Sequence, residues 1–349
     1  MIIQNTSQIG EAMRPFKVAL GVLGLVAVLA GCSSTGTTLQ PVVAQRDAAG
    51  SHTPVGHSWI APGAKSGDLL YVSDLLAQVV DIYTYGHRYH KLVGMLTGFF
   101  NPEGLCVDKA GDVWVTNDTS EGVHQITEYA HGGTIPVQTL NDPDGRANGC
   151  SVNPKTGDLA VADFWGPTEQ IGNVAIYAHA SGNPTFYSNP NIFYYYYCAY
   201  DGSGNLFVDG ETQGSVFGLG ELPKGGSTLN FVPVNETIYL PGGVQWDGRN
   251  LAVGDQVAVK HNFTSVVYEF SISGGAGTEV GTTILNGSSQ VAQFWLPRVR
   301  DGREATKVIG PNQQGKDTLF WDYPAGGNSI KTISGETDPT GVTISLAPK

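Results

Sequence analysis

The sequence predicts an all-β chain, a six-bladed propeller of four-stranded blades, and three observations carry that reading. Gly supplies 47 of 349 residues, about twice the usual ~7%. Only 14% of residues are charged and 10% are aromatic, a profile of short strands joined by tight turns. A glycine-centred motif returns near positions 104, 149, 197, 243, 292 and 341, the kind of fixed period that marks a repeat architecture. The last copy leaves too little chain after it to complete a blade. At 41% hydrophobic the chain is too apolar to be disordered throughout. Its net charge of −12 repels phosphate backbones, so nucleic acid is not an expected partner.

Taken in order, the chain opens on a targeting segment. Arg14 and Lys17 precede the apolar run from Val18 to Val28, which ends in Leu29-Ala30-Gly31-Cys32. Met13, just before the basic residues, is an alternative start. The apolar run is too short to span a bilayer comfortably, and small residues before a cysteine resemble the bacterial lipoprotein lipobox. That resemblance implies that residues 1–31 are a cleaved signal peptide and that Cys32 is acylated. The lipid would hold the protein to a membrane of the cell envelope, facing the periplasm or the exterior. Residues 32–58 are small, polar and Pro-punctuated, as a flexible tether should be. Residues 59–349 are then left for the propeller.

The blades follow. Pro102-Glu-Gly-Leu-Cys-Val-Asp108 and Gly111-Asp-Val-Trp-Val-Thr-Asn117 recur as Asn148-Gly-Cys-Ser-Val-Asn153 and Gly157-Asp-Leu-Ala-Val-Ala-Asp163. Weaker copies run over residues 197–209 and 241–255. Each reads as strand, Asp/Gly turn, strand, followed by a third strand such as 122–129 and a weaker fourth such as 134–140. Four strands make a blade. The sixth copy, Pro339 to Ser345, needs three partners, and 68–74, 79–85 and 91–97 offer them at the other end of the chain. The ring should therefore close as one strand plus three, with Trp59 to Pro62 lying across one face.

These motifs resemble the NHL-repeat and related six-bladed propellers, strongly in blades 2 to 5 and weakly in blade 6. The tether and ring together resemble uncharacterised bacterial propeller lipoproteins. In such rings the residue before each first-strand glycine lies near the channel mouth, which here reads Glu103, Asn148, Tyr196, Gly242, Val291 and Thr340. Glu103 and Asn148 offer a carboxylate and an amide oxygen, suited to Ca2+ or Mg2+. Their contexts are similar to those of the gluconolactonase-type propellers, a resemblance that implies a metal-dependent hydrolase or lyase. Tyr196, Gly242 and Val291 supply no third carboxylate for that chemistry. None of the eight His residues falls on an innermost strand, and no nucleophile or nucleotide motif appears.

The run Phe193-Tyr-Tyr-Tyr-Tyr197 should alternate, Tyr194 and Tyr196 to one side and Phe193, Tyr195 and Tyr197 to the other. It would serve either as an aromatic platform or as packing between blades; Trp246, Phe294 and Trp295 share that ambiguity. Asp74, Asn117, Asp163 and Asp255 end second strands and should form Asx turns into the third. Cys106, Cys150 and Cys198 are an odd set without metal spacing, expected as buried, inert thiols. With no complete catalytic set and no cofactor required, the reading is a lipid-anchored binding or scaffold module. Its partner would be a protein or a glycan.

Overall fold

The computed structural model describes residues 56–86, 90–119, 124–166, 171–297 and 305–348. The expected signal segment, Cys32 and nearly all of the expected tether lie outside the described residues. Six sheets form a β-propeller. Blade 2 holds Asn101–Val107, Val113–Asp118, His124–Tyr129 and Pro136–Asp142, and blade 3 holds Ala147–Val152, Leu159–Asp163, Asn173–Tyr177 and Thr185–Tyr187. Blade 4 holds Tyr194–Tyr200, Leu206–Glu211, Phe217–Leu222 and Asn230–Phe231, and blade 5 holds Pro241–Trp246, Leu251–Ala258, Thr264–Ser273 and Ala276–Asn286. In each, the first strand is innermost and neighbours pair antiparallel.

Blade 1 closes the ring as the repeat arithmetic requires. Its inner strand is the C-terminal Pro339–Ser345, paired to Leu69–Asp74 with Leu70 opposite Ile344 and Val72 opposite Val342. Val79–Thr84 and Leu92–Leu96 complete it. Strands are buried on both sides because blades pack face to face. Along Leu69–Asp74 the side chains alternate accordingly: Leu69 and Tyr71 join the core shared with blade 2, and Leu70 and Val72 the core shared with blade 6.

The short segment Trp59–Ile60 does not lie across a face. It pairs with Met95 and Gly94 as a fifth strand on the outer edge of blade 1, covering backbone groups that would otherwise be an open template. Gly94 permits this, since a Cβ there would meet the Trp59 carbonyl at 2.9 Å.

Blade 6 is irregular at its centre. Lys307–Asn312, Asp317–Asp322 and Lys331–Ser334 form its sheet, but among the described residues the inner segment joins it through isolated bridges, Val291 to Asn312 and Trp295 to Ile309, and the bond from Gln313 N–H to the Gln290 carbonyl. This is the copy that lacks turn punctuation in the sequence.

The polar residues that end the second strands do more than turn the chain. Asn117 Oδ1 accepts from the Phe100 and Asn101 N–H groups, and the Asp255 carboxylate from those of Tyr239 and Leu240. Asp74 accepts from Thr337 and Asp338, and Asn312 from Ser289 and Gln290. Each thus latches the chain just before the inner strand of its own blade, a non-local role rather than only an Asx turn. Ala77 N–H on Asp74 and Val257 N–H on Asp255 are the local turns beside it. The latched pair precedes Gly104, Gly243 and Gly341 by three and four residues, so the corresponding position in blade 6 is Gln293 rather than Ala292.

Two of the three cysteines depart from expectation. Cys106 and Cys150 form a disulfide between the inner strands of blades 2 and 3, with Cα atoms 5.6 Å apart. The strands approach this closely because Gly104 has no side chain; a Cβ there would lie 2.4 Å from the Asn148 carbonyl oxygen. Cys198 is a buried free thiol, and burial pushes its pKa up.

Candidate functional site

The channel opens at two mouths. At the first, where the inner strands begin, Glu103, Asn148, Tyr196 and Thr340 come together around a depression of about 220 Å³. Gly242 and Val291 are not among its lining residues; Ala292 lines it instead of Val291, as the one-residue shift in blade 6 requires. Arg146, Phe164, Gln256, Gln290 and Gln313 complete much of the wall.

Arg146 organises this mouth and has no counterpart in the repeat pattern. Its Nη2 donates to Glu103 Oε1 at 3.1 Å, and its Nε lies 3.6 Å from Asp118 Oδ2. His124 Nδ1 approaches the other Asp118 oxygen at 2.9 Å. The guanidinium also lies 5.6 Å from the centroid of the Trp165 ring, a cation–π distance. Burial raises the Glu103 pKa to about 7, although Arg146 opposes the shift. Glu103 thus exchanges a proton near neutrality beside a permanent positive charge. Asn148 donates from Nδ2 to the Tyr196 carbonyl at 2.8 Å, and its side chain is also hydrogen-bonded to Tyr197. A cation held by Glu103 and Asn148 would compete with Arg146 for the carboxylate.

The tyrosine run divides its work. Tyr194 stacks on Phe164 with centroids 4.9 Å apart, and Tyr196 meets the same ring edge-on at 4.9 Å. The Tyr196 hydroxyl is hydrogen-bonded to Glu211. Tyr195 packs between blades 3 and 4, whereas Tyr197 packs in the core of blades 4 and 5. Simple alternation fails between Tyr195 and Cys198 because the register shifts there, and a bulge re-aims the residues after it.

The second mouth, where the inner strands end, is wider and was not singled out by sequence. Its cavity of about 750 Å³ is lined by Tyr85, Tyr200, Trp246 and Trp295, with Asp68, Asp108, Lys109 and Lys307. The disulfide lies in its wall. The only sequence signal was aromatic: Trp246 and Trp295 reach the cavity, while Phe294 is buried in the core of blades 5 and 6. The charged residues come from turns and from the ends of strands in different blades, so no local motif unites them. Carboxylate oxygens of Asp108, Asp112 and Glu128 also converge within 4.8 Å. Each already accepts a hydrogen bond, from the Ala110 and His131 N–H groups and from Gln138 Nε2.

No protein-family model and no curated protein matches this chain. Solved structures match its architecture. A chain in the crystal structure of a nidogen/laminin complex aligns with TM-score 0.63 at 13% identity, covering 81% of this chain and all of that one (100%). A protein of unknown function from Bacteroides caccae aligns with TM-score 0.54 at 13% identity, over 80% of this chain and 99% of that one. A functionally unknown protein from Desulfotomaculum acetoxidans gives 0.53 at 15% identity, over 84% and 89%. At these identities the likeness is one of fold, and a propeller fold hosts many unrelated activities.

Proposed function

We propose that this chain is a lipid-anchored, extracytoplasmic propeller of the NHL-repeat-like kind that binds a glycan or a protein partner through a channel mouth. The observation that carries the reading is the wide second mouth. Two tryptophans and two tyrosines flank a cavity of about 750 Å³ whose rim bears Asp68, Asp108, Lys109 and Lys307. Aromatic faces beside a few charged groups suit the apolar and hydroxyl faces of a sugar, or an extended side chain of a partner. The lipobox at Cys32 and the polar tether support an address on the envelope, where such ligands are displayed.

The test is tryptophan-fluorescence titration with a panel of envelope oligosaccharides, together with cross-linked pull-down from the envelope. A ligand whose affinity falls at least about tenfold in both Trp246→Ala and Trp295→Ala supports the reading. Binding indifferent to both substitutions, or turnover of a lactone that disappears in Glu103→Ala, overturns it.

One observation favours a second reading, a metal-dependent hydrolase or lyase at the first mouth. Burial brings Glu103 to a pKa of about 7, the range in which a general base works at neutral pH, and Asn148 lies beside it. Calorimetry with Ca2+ and Mg2+ decides: affinity unchanged in Glu103→Ala removes this reading.

A further inference from the structure

We propose that Asp142, Asp163 and Asn173 hold a hard divalent cation, calcium in preference to magnesium, at the junction of blades 2 and 3. The reasoning starts from the latch that Asp74, Asn117, Asp255 and Asn312 make in their own blades. Asp163 occupies the same position in blade 3, and the N–H groups it would accept from are those of Gly145 and Arg146. Here the hairpin pairing continues past Asp163 instead. Arg146 N–H donates to the Trp165 carbonyl and Phe164 N–H to the Arg146 carbonyl, both at 2.9 Å. Asp163 is fully buried, 0% exposed, and among the described residues no donor reaches either of its carboxylate oxygens.

Two neighbours present oxygens in the same condition. Asn173 pairs with Asp163 across the sheet, so the two side chains share a face. Its Nδ2 donates to the Asp144 carbonyl at 3.2 Å, which sets the amide orientation and leaves Oδ1 buried without a partner. Asp142, 2% exposed, accepts from the Asp144 N–H at 3.4 Å on Oδ1, while its Oδ2 is without a partner. The Asp142 and Asp163 carboxyls lie within hydrogen-bonding reach of each other; burial raises both pKa values, and the Asp142 charge raises that of Asp163 further. Tyr177 is also hydrogen-bonded to Asp142. Asp144 adds further negative field at Asp163. His124 acts weakly on Asp142, and Arg146 is committed to Glu103 and Asp118.

Two species could compensate these groups. A proton shared between the carboxyls makes one O–H···O bond, which serves one oxygen of each and leaves the second Asp163 oxygen and Asn173 Oδ1 unsatisfied. A cation serves all four oxygens at once, and an all-oxygen set of carboxylates and an amide is the donor set of hard cations. The choice of calcium follows from the seat. Gly145 lies directly over Asp163, where a Cβ would fall 2.3 Å from the Asp163 Cγ. So tight a cover leaves little room for the water shell that magnesium gives up reluctantly. The ion would tie down the loop of residues 142–146 and so place Arg146 at the first mouth.

The experiment is thermal unfolding of the full chain in EDTA, Ca2+ or Mg2+, with Tb3+ luminescence sensitised by Tyr177 as an independent readout. The Tyr177 hydroxyl donates to the Asn141 carbonyl at 3.0 Å, beside Asp142. Ca2+ is expected to raise the melting temperature more than Mg2+ does, and the response and the Tb3+ signal are expected to vanish in Asp142→Asn and Asp163→Asn. Both should persist in Glu103→Gln and in Asp108→Asn. Should either ligand variant fail to fold, Asn173→Ala removes one neutral oxygen and is expected to weaken Ca2+ at least about tenfold. Three results overturn the proposal. One is a wild-type melting temperature equal in EDTA and Ca2+. Another is a response that survives Asp163→Asn but disappears in Glu103→Gln or Asp108→Asn, placing the ion elsewhere. The third is unchanged Ca2+ affinity in Asn173→Ala.

Discussion

Gln293 pairs with Leu105 as another strand would: its Nε2 donates to the Leu105 carbonyl at 2.8 Å and its Oε1 accepts from the Leu105 N–H at 3.1 Å. The same Oε1 accepts from the Val342 N–H at 3.0 Å. One side chain of the irregular sixth blade thus binds the inner strands of blades 1 and 2 at the ring centre. It is 3% exposed, so no solvent replaces these bonds if it is lost.

Gln293→Ala leaves two backbone N–H groups and one carbonyl buried without partners. At about 1 kcal/mol or more for each, the loss is expected to reach roughly 3 kcal/mol. Urea unfolding measures it; a change below about 0.5 kcal/mol would mean that water or a shifted strand takes over the role.

Glu336 carries a pH dependence. It is 4% exposed and accepts from Thr318 Oγ1; burial, with Asp81, Asp74 and Asp317 nearby, raises its pKa from 4.5 to about 8. The folded state holds this proton more tightly than the unfolded chain. Its contribution is therefore fully present below about pH 4.5 and declines as pH rises to about 8. Glu336→Gln is expected to stabilise the protein at pH 8 to 9 by a few kcal/mol, on the order of 1.4 kcal/mol for every tenfold difference in proton affinity between the folded and unfolded states. The advantage should fade toward pH 5. Melting temperatures of both proteins across pH 5 to 9 check this, and a constant difference contradicts it.

The Cys106–Cys150 disulfide closes a loop of 44 residues in separation, a constraint worth about 4 kcal/mol by chain entropy. Reduction, or the double change to Ser, should lower the melting temperature by several degrees or more. Mass spectrometry after alkylation of the native, unreduced protein should find Cys198 unlabelled, because its thiol is buried.

If Cys32 is the acylation site, Cys32→Ser moves the protein from the membrane to the soluble fraction and abolishes metabolic palmitate labelling. Continued membrane association without label would show that the leader acts as an uncleaved anchor instead.

Much of the ring was legible because its signals are local. A left-handed turn that needs Gly111 or Gly204, both at positive φ, and period-2 burial on either side can be read within one repeat. The same arithmetic of repeats placed Pro339–Ser345 beside Leu69–Asp74. The first mouth was half legible. Glu103, Asn148 and Tyr196 stand at one position of the repeat, whereas Arg146 reaches Glu103 from the next blade and belongs to no motif.

By itself, then, the sequence determined the blade count, the one-plus-three closure and, outside blade 6, where the inner strands lie. These depend on turn chemistry and alternation, and both act over a few bonds. Only the tertiary structure decided that Trp59–Ile60 covers an edge, that Cys106 meets Cys150, that Gln293 bridges three blades and that Asp163 has no latch to hold. Those outcomes depend on which surfaces meet when six wedges close into a ring. A one-residue shift, as in blade 6, or a bulge, as after Tyr195, changes which side chain faces which neighbour while leaving the pattern of each strand intact.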